Sequence, residues 1–99
     1  RVVILLKGQV DIVSDGTRTV VNRTGSPAMT VGGTGDVLAG VVAALMAQGA
    51  SPLDAAVAGA RVNGLSGELA ARDLGMHIVA TDVIDRLPFV LKNFDRLSG

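Results

Sequence analysis

The apolar residues of this chain fall into runs, and the first runs predict strands. Residues 2–6, VVILL, are a continuous apolar run ahead of Lys7 and Gly8, which is typical of a strand buried on both faces of a parallel sheet. The segment 11–22, DIVSDGTRTVVN, places two apolar pieces on either side of Asp15-Gly16. Asp-Gly between apolar runs favours a hairpin because glycine accepts a positive φ. The sequence therefore predicts a buried strand followed by a β-hairpin.

A longer apolar run follows a loop rich in glycine, threonine, serine and proline. The loop is RTGSPAMTVGGTG, residues 23–35, and from Asp36 to Gln48 nearly every residue is apolar and compatible with a helix. A helix that is apolar on every side is normally buried on every side. The pattern therefore predicts a buried helix whose first residue is Asp36.

The second predicted helix has recognisable ends. Ser51 is suited to cap it, Pro52 suits its first turn, and Gly75 is suited to end it after Leu74. Several of its residues are small enough to let another backbone approach closely: Ala55, Ala56, Ala58, Gly59, Ala60, Gly64 and Gly67.

A final helical piece completes the predicted elements. Thr81-Asp82 is predicted to cap it and Pro88 to interrupt it. A strand, a hairpin, a glycine-rich loop and then helices suggest an α/β layered domain seen from its C-terminal side. With 48% hydrophobic and 18% charged residues among 99, some apolar faces are expected to be covered from outside this chain.

Composition excludes several classes of function. Nine basic and nine acidic residues balance, and Phe89 and Phe94 are the only aromatic residues, which gives nucleic-acid binding no support. Cysteine is absent and His77 is the only histidine, which excludes disulfides, thiolate metal sites and a His-rich metal site. The longest apolar run, from Val37 to Ala47, is shorter than the roughly 20 residues that a bilayer requires. We therefore expect a cytoplasmic protein that binds neither membrane nor nucleic acid.

The glycine-rich loop ends in an acid at a predicted helix start. Gly32, Gly33 and Gly35 precede Asp36, and N–H groups at the start of a helix form an anion site. Acids are also common in first helical turns merely as caps, so GTGD alone leaves that interpretation open. In phosphoryl transfer the attacking hydroxyl loses its proton late. A permanently charged weak base beside an anion hole therefore suits that reaction.

The segment NRTGSPAMTVGGTGDVLAG, residues 22–40, strongly resembles the signature of ADP/ATP-dependent NAD(P)H-hydrate dehydratases, a branch of the ribokinase-like superfamily. The preceding ILLKG, the following AQGASPLDAAVAGARVNGLSGELAA and the later ATDVIDRLP are similar to that family's successive elements. The resemblance implies an α/β fold, in which residues 1–99 are the C-terminal portion of a ribokinase-like three-layer α/β/α domain. The N-terminal portion of that domain is expected to be absent from this chain.

The resemblance also implies roles for individual residues. Asp36 would contact the hydroxyl of the hydrated nicotinamide ring and accept its proton, and the transferred phosphate would then be eliminated to regenerate NADH or NADPH. Gly33, Thr34 and Gly35 would form the anion hole, with Gly35 also near the nucleotide. The segment expected to border the adenine nucleotide is Lys7, Gly8, Gln9, Val10 and Asp11. Mg²⁺ would accompany the phosphates of ADP or ATP, with no metal ligand assigned to the protein.

This sequence departs from the family pattern at two positions, and the role of one further residue is left open. The family usually has a small hydroxyl residue where Asp11 stands and Asn where Ser26 stands. Asn63 either borders the adenine or has a packing or surface role.

Two other functions remain open from the sequence. A small-molecule kinase of the same superfamily, acting on a vitamin precursor, would use the same anion hole and base but keep the phosphate on its product. Alternatively, the 99 residues are a non-catalytic module or an incomplete piece. We expect them to be inactive alone and the full-length form to be a homo-oligomer.

Overall fold

The computed structural model describes residues 2–8, 10–26, 29 and 34–98, with residues 34 and 93–98 described as backbone only. The described residues form three strands followed by three helices. Their bounds are β1 (Ile4–Leu6), β2 (Asp11–Ser14), β3 (Thr19–Asn22), α1 (Thr34–Ala47), α2 (Pro52–Leu74) and α3 (Ala80–Ser98).

The strands form an antiparallel sheet in the order β1-β2-β3, and the predicted hairpin joins β2 to β3. Ser14 lies opposite Thr19, and Gly16 adopts the positive φ of 93° that the turn requires. The Asp15 carboxylate accepts hydrogen bonds from the backbone N–H groups of residues 17 and 18, both at 2.8 Å. Side-chain and backbone geometry thus agree with the Asp-Gly signal, and the hairpin is confirmed.

The prediction that the first strand is buried in a parallel sheet is wrong for the described structure. β1 pairs antiparallel with β2, and Ile4 and Leu6 are 57% and 59% exposed. Successive side chains of a strand point to opposite faces of its sheet. Leu5 therefore points the other way, where it packs with Val13 and with α2. Only the face that α2 covers is buried among the described residues.

Helix α2 has the predicted bounds and lies at the centre of the structure. The Ser51 hydroxyl accepts a hydrogen bond from the Asp54 backbone N–H at 3.2 Å, which satisfies one of the free donors at the helix start. Gly75 follows the last turn with φ 83°. Helix α2 contacts α1, α3, β2 and β3. This one long helix therefore packs against the sheet and against both other helices.

The small residues of α2 allow close contacts, as the sequence predicts. A Cβ added at Gly59 would lie 2.6 Å from Val42 Cγ2 of α1, and one added at Gly64 would lie 2.8 Å from the Thr24 backbone carbon. At Gly67 the Met29 side chain occupies the same space. These glycines let α1 and the segment after β3 pack directly against the α2 backbone.

Helix α1 begins at Thr34, two residues before the predicted start, and it is not buried on every side. Leu38 and Val41 are buried against α2 and α3. Ala43 and Met46 are exposed. A uniformly apolar helix buries only the face that has a neighbour, and among the described residues α1 has neighbours on one side.

Helix α3 continues through Pro88, so the predicted interruption is wrong. Proline removes one backbone hydrogen bond from a helix, but the residues around it hold both halves of α3 in place. Leu87, Val90 and Leu91 pack in one cluster with Val41 and Val62. Helix α3 begins at Ala80, so the predicted cap Thr81-Asp82 lies inside its first turn. From there the Asp82 carboxylate accepts a hydrogen bond from the Val79 N–H at 2.8 Å. No helix in the described part of the chain is long and apolar enough to cross a bilayer.

Candidate active site

The predicted base lies at the start of α1 and is accessible. Asp36 is in the first turn of α1 and its side chain is exposed. It lines one end of a groove of ≈ 930 Å³ between the three helices.

The groove itself is mainly apolar, and sequence reasoning missed much of its lining. Leu45 of α1 and Val62 of α2 line two of its walls. The third wall comes from α3, where the lining residues are Ala80, Ile84, Leu87 and Leu91. These residues recur at intervals of four, three and four, which is the spacing of one helical face. This apolar stripe is the feature of the sequence that indicates a groove wall. It includes no charged or polar side chain that would mark a functional surface.

The predicted anion hole is described only in part. Gly33 lies outside the described residues, and Thr34 is the first residue of α1. Gly35 is exposed, and a Cβ added to it would meet nothing within 4 Å. The first N–H groups of a helix have no acceptor within that helix. The described part of the predicted hole is therefore an open helix end next to Asp36.

The predicted nucleotide segment forms a compact turn after β1. The Lys7 side chain is 45% exposed and its ammonium lies 3.5 Å from Asp11 Oδ1. Gly8 donates its backbone N–H to the same oxygen at 3.4 Å. Val10 is half-buried, and Gln9 lies outside the described residues. The structure therefore brings Lys7, Gly8 and Asp11 together.

Asp11 is buried and bonded to the sheet, unlike the exposed Asp36. Its second oxygen, Oδ2, accepts a hydrogen bond from Asn22 Nδ2 at 3.1 Å. The same Asn22 amide donates to the Ala60 carbonyl of α2 at 3.2 Å. Asn22 Oδ1 accepts from the Thr24 hydroxyl at 2.9 Å. A chain of hydrogen bonds thus connects the turn after β1 with α2 and with the start of the glycine-rich loop.

A second contact fixes the start of that loop, and sequence reasoning did not find it. The Glu68 carboxylate of α2 accepts a hydrogen bond from the Gly25 backbone N–H at 2.9 Å. Gly25 has φ 126°, which an L side chain rarely adopts. The Glu68 partner lies 43 positions away, and no local pattern in the sequence signals a contact over that separation.

The remaining candidates lie away from the groove or form no metal site. Asn63 is buried at 1% exposure, does not line the groove, and its Oδ1 accepts no hydrogen bond in the described part of the structure. This burial contradicts a surface role, whereas adenine contact and packing stay open. The described residues contain no group of three or more His, Asp or Glu side chains arranged to hold a metal ion.

Comparison with solved structures defines the class of protein. The chain superposes with a TM-score of 0.85 and 33% identity on the Bacillus subtilis ADP/ATP-dependent NAD(P)H-hydrate dehydratase that was co-crystallised with ATP/Mg²⁺ and soaked with CoA. The superposition covers 93% of this chain and 35% of that one. The carbohydrate-kinase-like α/β fold that the resemblance implied is therefore confirmed.

The family follows from the sequence as a whole. The model of the carbohydrate-kinase-like family described as NAD(P)H-hydrate dehydratase matches residues 1–89, and the chain belongs to this family. It is 60% identical over 92 residues to the bifunctional NAD(P)H-hydrate repair enzyme Nnr of Pyrobaculum aerophilum. It is 55% identical over 97 residues to the ADP-dependent (S)-NAD(P)H-hydrate dehydratase of Cenarchaeum symbiosum. The alignments cover 93% and 98% of this chain but only 18% and 34% of the relatives.

Proposed function

We propose that this chain supplies the base and a nucleotide-binding turn of an enzyme that dehydrates hydrated NADH or NADPH, with ADP or ATP as phosphoryl donor. One observation carries the proposal. In a chain of this family, the Asp36 carboxylate is exposed at the start of α1 and faces the end of an apolar groove. The names of the relatives, which specify NAD(P)H-hydrate dehydratases dependent on ADP or on ADP/ATP, support the choice of substrate and donor.

In the proposed reaction Asp36 accepts one proton. The hydroxyl oxygen of the hydrated ring attacks the terminal phosphorus of the donor, the bond from that phosphorus to the rest of the nucleotide breaks, and the hydroxyl proton passes to Asp36. In the second step the carbon–oxygen bond to the phosphate breaks, and a proton leaves the adjacent ring carbon to restore the double bond. The helix-start N–H groups of Thr34 and Gly35, with Gly33, stabilise charge on the transferred group. Oriented donors of this kind are worth about 3–4 kcal/mol each in a site that excludes water.

The nucleotide is proposed to lie against the turn after β1, with Lys7 directed at its phosphates. Lys7, Gly8, Gln9 and Val10 form this border, with Asp11 behind them, and Gly35 approaches from α1. Mg²⁺ is usually held by phosphate oxygens and water with one or two carboxylates. The described residues offer no metal cage but fit this mode, because an ion bound mainly by the donor needs at most one exposed carboxylate. When bound, Mg²⁺ neutralises phosphate charge.

The direct test uses a chimaera, since the chain spans about a third of the Cenarchaeum symbiosum relative. In this chimaera, residues 1–99 replace the segment of that enzyme with which they align. Asp36→Asn is expected to lower kcat for NADHX dehydration by about 10²–10⁴-fold, the usual contribution of a positioned base.

Asp54→Asn is the matched control, because Asp54 occupies the first turn of α2 as Asp36 does in α1. It should cost about 0.3–1 kcal/mol of helix-end stabilisation and leave kcat unchanged. Full activity in Asp36→Asn, or an inactive parent chimaera beside an active host enzyme, would refute the assignment.

The kinase alternative is separated by product analysis. A kinase would release a stable phosphate ester, whereas the proposed enzyme releases inorganic phosphate and NADH. The third alternative, a non-catalytic module or an incomplete piece that binds nucleotide weakly or merely assembles, is tested on the 99 residues alone by calorimetry with ADP and ATP. We expect no dehydratase activity from that isolated chain, and saturable micromolar binding would count against a non-binding module.

We also propose that residues 1–99 are the C-terminal portion of a single ribokinase-like domain. Ile4, Leu6, Ile12 and Val21 form an exposed apolar face on the side of the sheet opposite α2, and such a face favours a covering layer. Ile12→Lys should change the stability of the isolated chain by about 1 kcal/mol or less. In the chimaera it should cost about 3 kcal/mol or more, because the charge would be buried. Equal effects in both contexts would argue against the shared domain.

Two properties of the longer protein remain proposals. We place it in the cytoplasm, with its nucleotide and dinucleotide substrates, and propose that it assembles as a homo-oligomer. Sedimentation of the chimaera tests the second point, and a monomer at micromolar concentration would contradict it.

A further inference from the structure

We propose that Asp11 is a positioning residue that does not touch the nucleotide. It fixes Lys7 and compensates its charge, and thereby suppresses the preference for ATP that an uncompensated Lys7 would give. The proposal rests on the proposed function, which directs Lys7 at the phosphates. It replaces the direct nucleotide contact expected for Asp11 from the family pattern with an indirect role.

The burial of Asp11 leaves little room for direct contact with a ligand. The residue is 5% exposed, and both carboxylate oxygens have partners within the chain. Oδ1 lies 3.5 Å from the Lys7 ammonium and 3.4 Å from the Gly8 backbone nitrogen. Oδ2 accepts from Asn22 at 3.1 Å. Three donors of the chain itself therefore lie against this buried carboxylate.

The carboxylate is also anchored to the interior of the structure. Asn22, which holds Oδ2, donates in addition to the Ala60 carbonyl on α2. The Thr24 hydroxyl, which bonds to Asn22 Oδ1, lies within 3.4 Å of the Arg61 carbonyl on the same helix. Asp11 is thus fixed to the sheet and to α2, whereas Lys7 is tied to it at one point. Asp11 therefore determines where the Lys7 ammonium lies.

Lys7 retains the capacity to bind a ligand. An ammonium has three N–H donors, and a side chain that is 45% exposed can direct the others outward. The pair Lys7–Asp11 carries no net charge, so attraction between this turn and a phosphate chain depends little on the charge of that chain. Without Asp11, the turn would carry one positive charge and would favour the more negative donor, ATP.

The test compares the two donors in the chimaera. Asp11→Asn should lower the ratio of kcat/KM for ADP to kcat/KM for ATP by about three- to tenfold, mainly through KM, as expected for one unit of charge acting through partly aqueous surroundings. Asp15→Asn is the matched control, because Asp15 also accepts backbone N–H bonds at an end of β2 but lies at the hairpin turn. It should leave the donor ratio unchanged.

A second variant keeps the proposal falsifiable if Asp11→Asn fails to fold. Lys7→Gln changes an exposed side chain and leaves the turn with one negative charge, so the donor ratio should move in the opposite direction, towards ADP. A purely structural role for Asp11 would weaken both donors equally. Equal losses, unchanged ratios, or shifts of the same sign in Asp11→Asn and Lys7→Gln would overturn the proposal.

Failure of the proposed function is distinguishable from failure of this inference. If the parent chimaera binds ADP and ATP but dehydrates nothing, the activity proposal fails. The ratio of the two dissociation constants, measured by calorimetry for the parent and both variants, still decides the role of Asp11. If neither nucleotide binds the parent chimaera, Asp11 has no donor preference to set and this inference is refuted as well.

Discussion

Helices α1 and α2 both contain many small and apolar residues, yet they differ in what surrounds them. Helix α1 is almost entirely apolar and leaves Ala43 and Met46 exposed. Helix α2 carries Arg61, Glu68 and other charged residues, yet buries a continuous small-residue face against the sheet, the segment after β3 and both other helices. Composition alone would rank their burial in the opposite order.

The difference shows that burial depends on the number of neighbouring elements as well as on hydrophobicity. Helix α2 lies between two layers, so residues as small as Gly59 and Gly64 become points of close contact. Helix α1 lies at an edge, where its first turn presents Asp36 to the groove. One helix therefore supports the structure, while the other carries the proposed chemistry at an accessible end.

Among the helix variants, the largest effect on stability is expected where α2 lies against backbone rather than against a flexible side chain. Gly64→Ala would place a Cβ 2.8 Å from the Thr24 backbone carbon. Overpacking of this kind typically costs about 1–3 kcal/mol, so we expect a loss of about 2–3 kcal/mol in the free energy of unfolding. Urea denaturation followed by circular dichroism measures it. A variant as stable as the parent would mean that Thr24 and α2 are not in close contact.

A smaller effect is expected at the start of α2. Ser51→Ala removes the acceptor for the Asp54 N–H and should lower the free energy of unfolding by about 1 kcal/mol. Ser51→Asp is the control, since an aspartate keeps an acceptor at the cap position and should retain most of the stability. Equal losses in the two variants would show that the cap bond does not stabilise α2.

The smallest effect, with the opposite sign, is expected in α1. A Cβ added at Gly40 would meet nothing within 4 Å, and alanine is favoured over glycine inside a helix by about 0.5–1 kcal/mol. Gly40→Ala should therefore raise the free energy of unfolding by that amount. Comparing the free energies of unfolding of Gly40→Ala and Gly64→Ala measures the difference between the two helices. A lower free energy of unfolding for Gly40→Ala would contradict the edge position of α1.

Local signals in the sequence predicted the elements whose ends are set by local chemistry. The Asp15-Gly16 turn and the bounds of α2 between Ser51 and Gly75 follow from residues that favour one backbone conformation or cap a helix. The burial of β1 and α1 could not be predicted in the same way, because it depends on which elements pack against them. The predicted interruption of α3 at Pro88 is wrong because the packing of the residues on both sides of Pro88 outweighs one missing hydrogen bond.

The residues of the candidate site also differ in whether a local sequence pattern indicates them. The glycine-rich loop before a helix start indicates Asp36, and the family resemblance indicates Lys7; the structure places Lys7 in a polar turn and Asp36 beside the groove. The partners of Asp11 and Gly25 escaped prediction because Asn22 and Glu68 are distant in sequence and have no distinctive local motif. Sequence patterns locate reactive groups more readily than the hydrogen bonds that fix them.

The hydrogen bond between Asn22 and the Ala60 carbonyl spans 38 positions of the chain and has a consequence for folding. The hairpin and each helix can form from nearby residues, but α2 reaches the sheet only after the intervening loop is closed. Loop closure carries an entropic cost that must be met before such distant contacts contribute. We therefore expect the docking of α2 onto the hairpin to limit the folding rate, so weakening this contact should slow refolding more than a change at the helix caps.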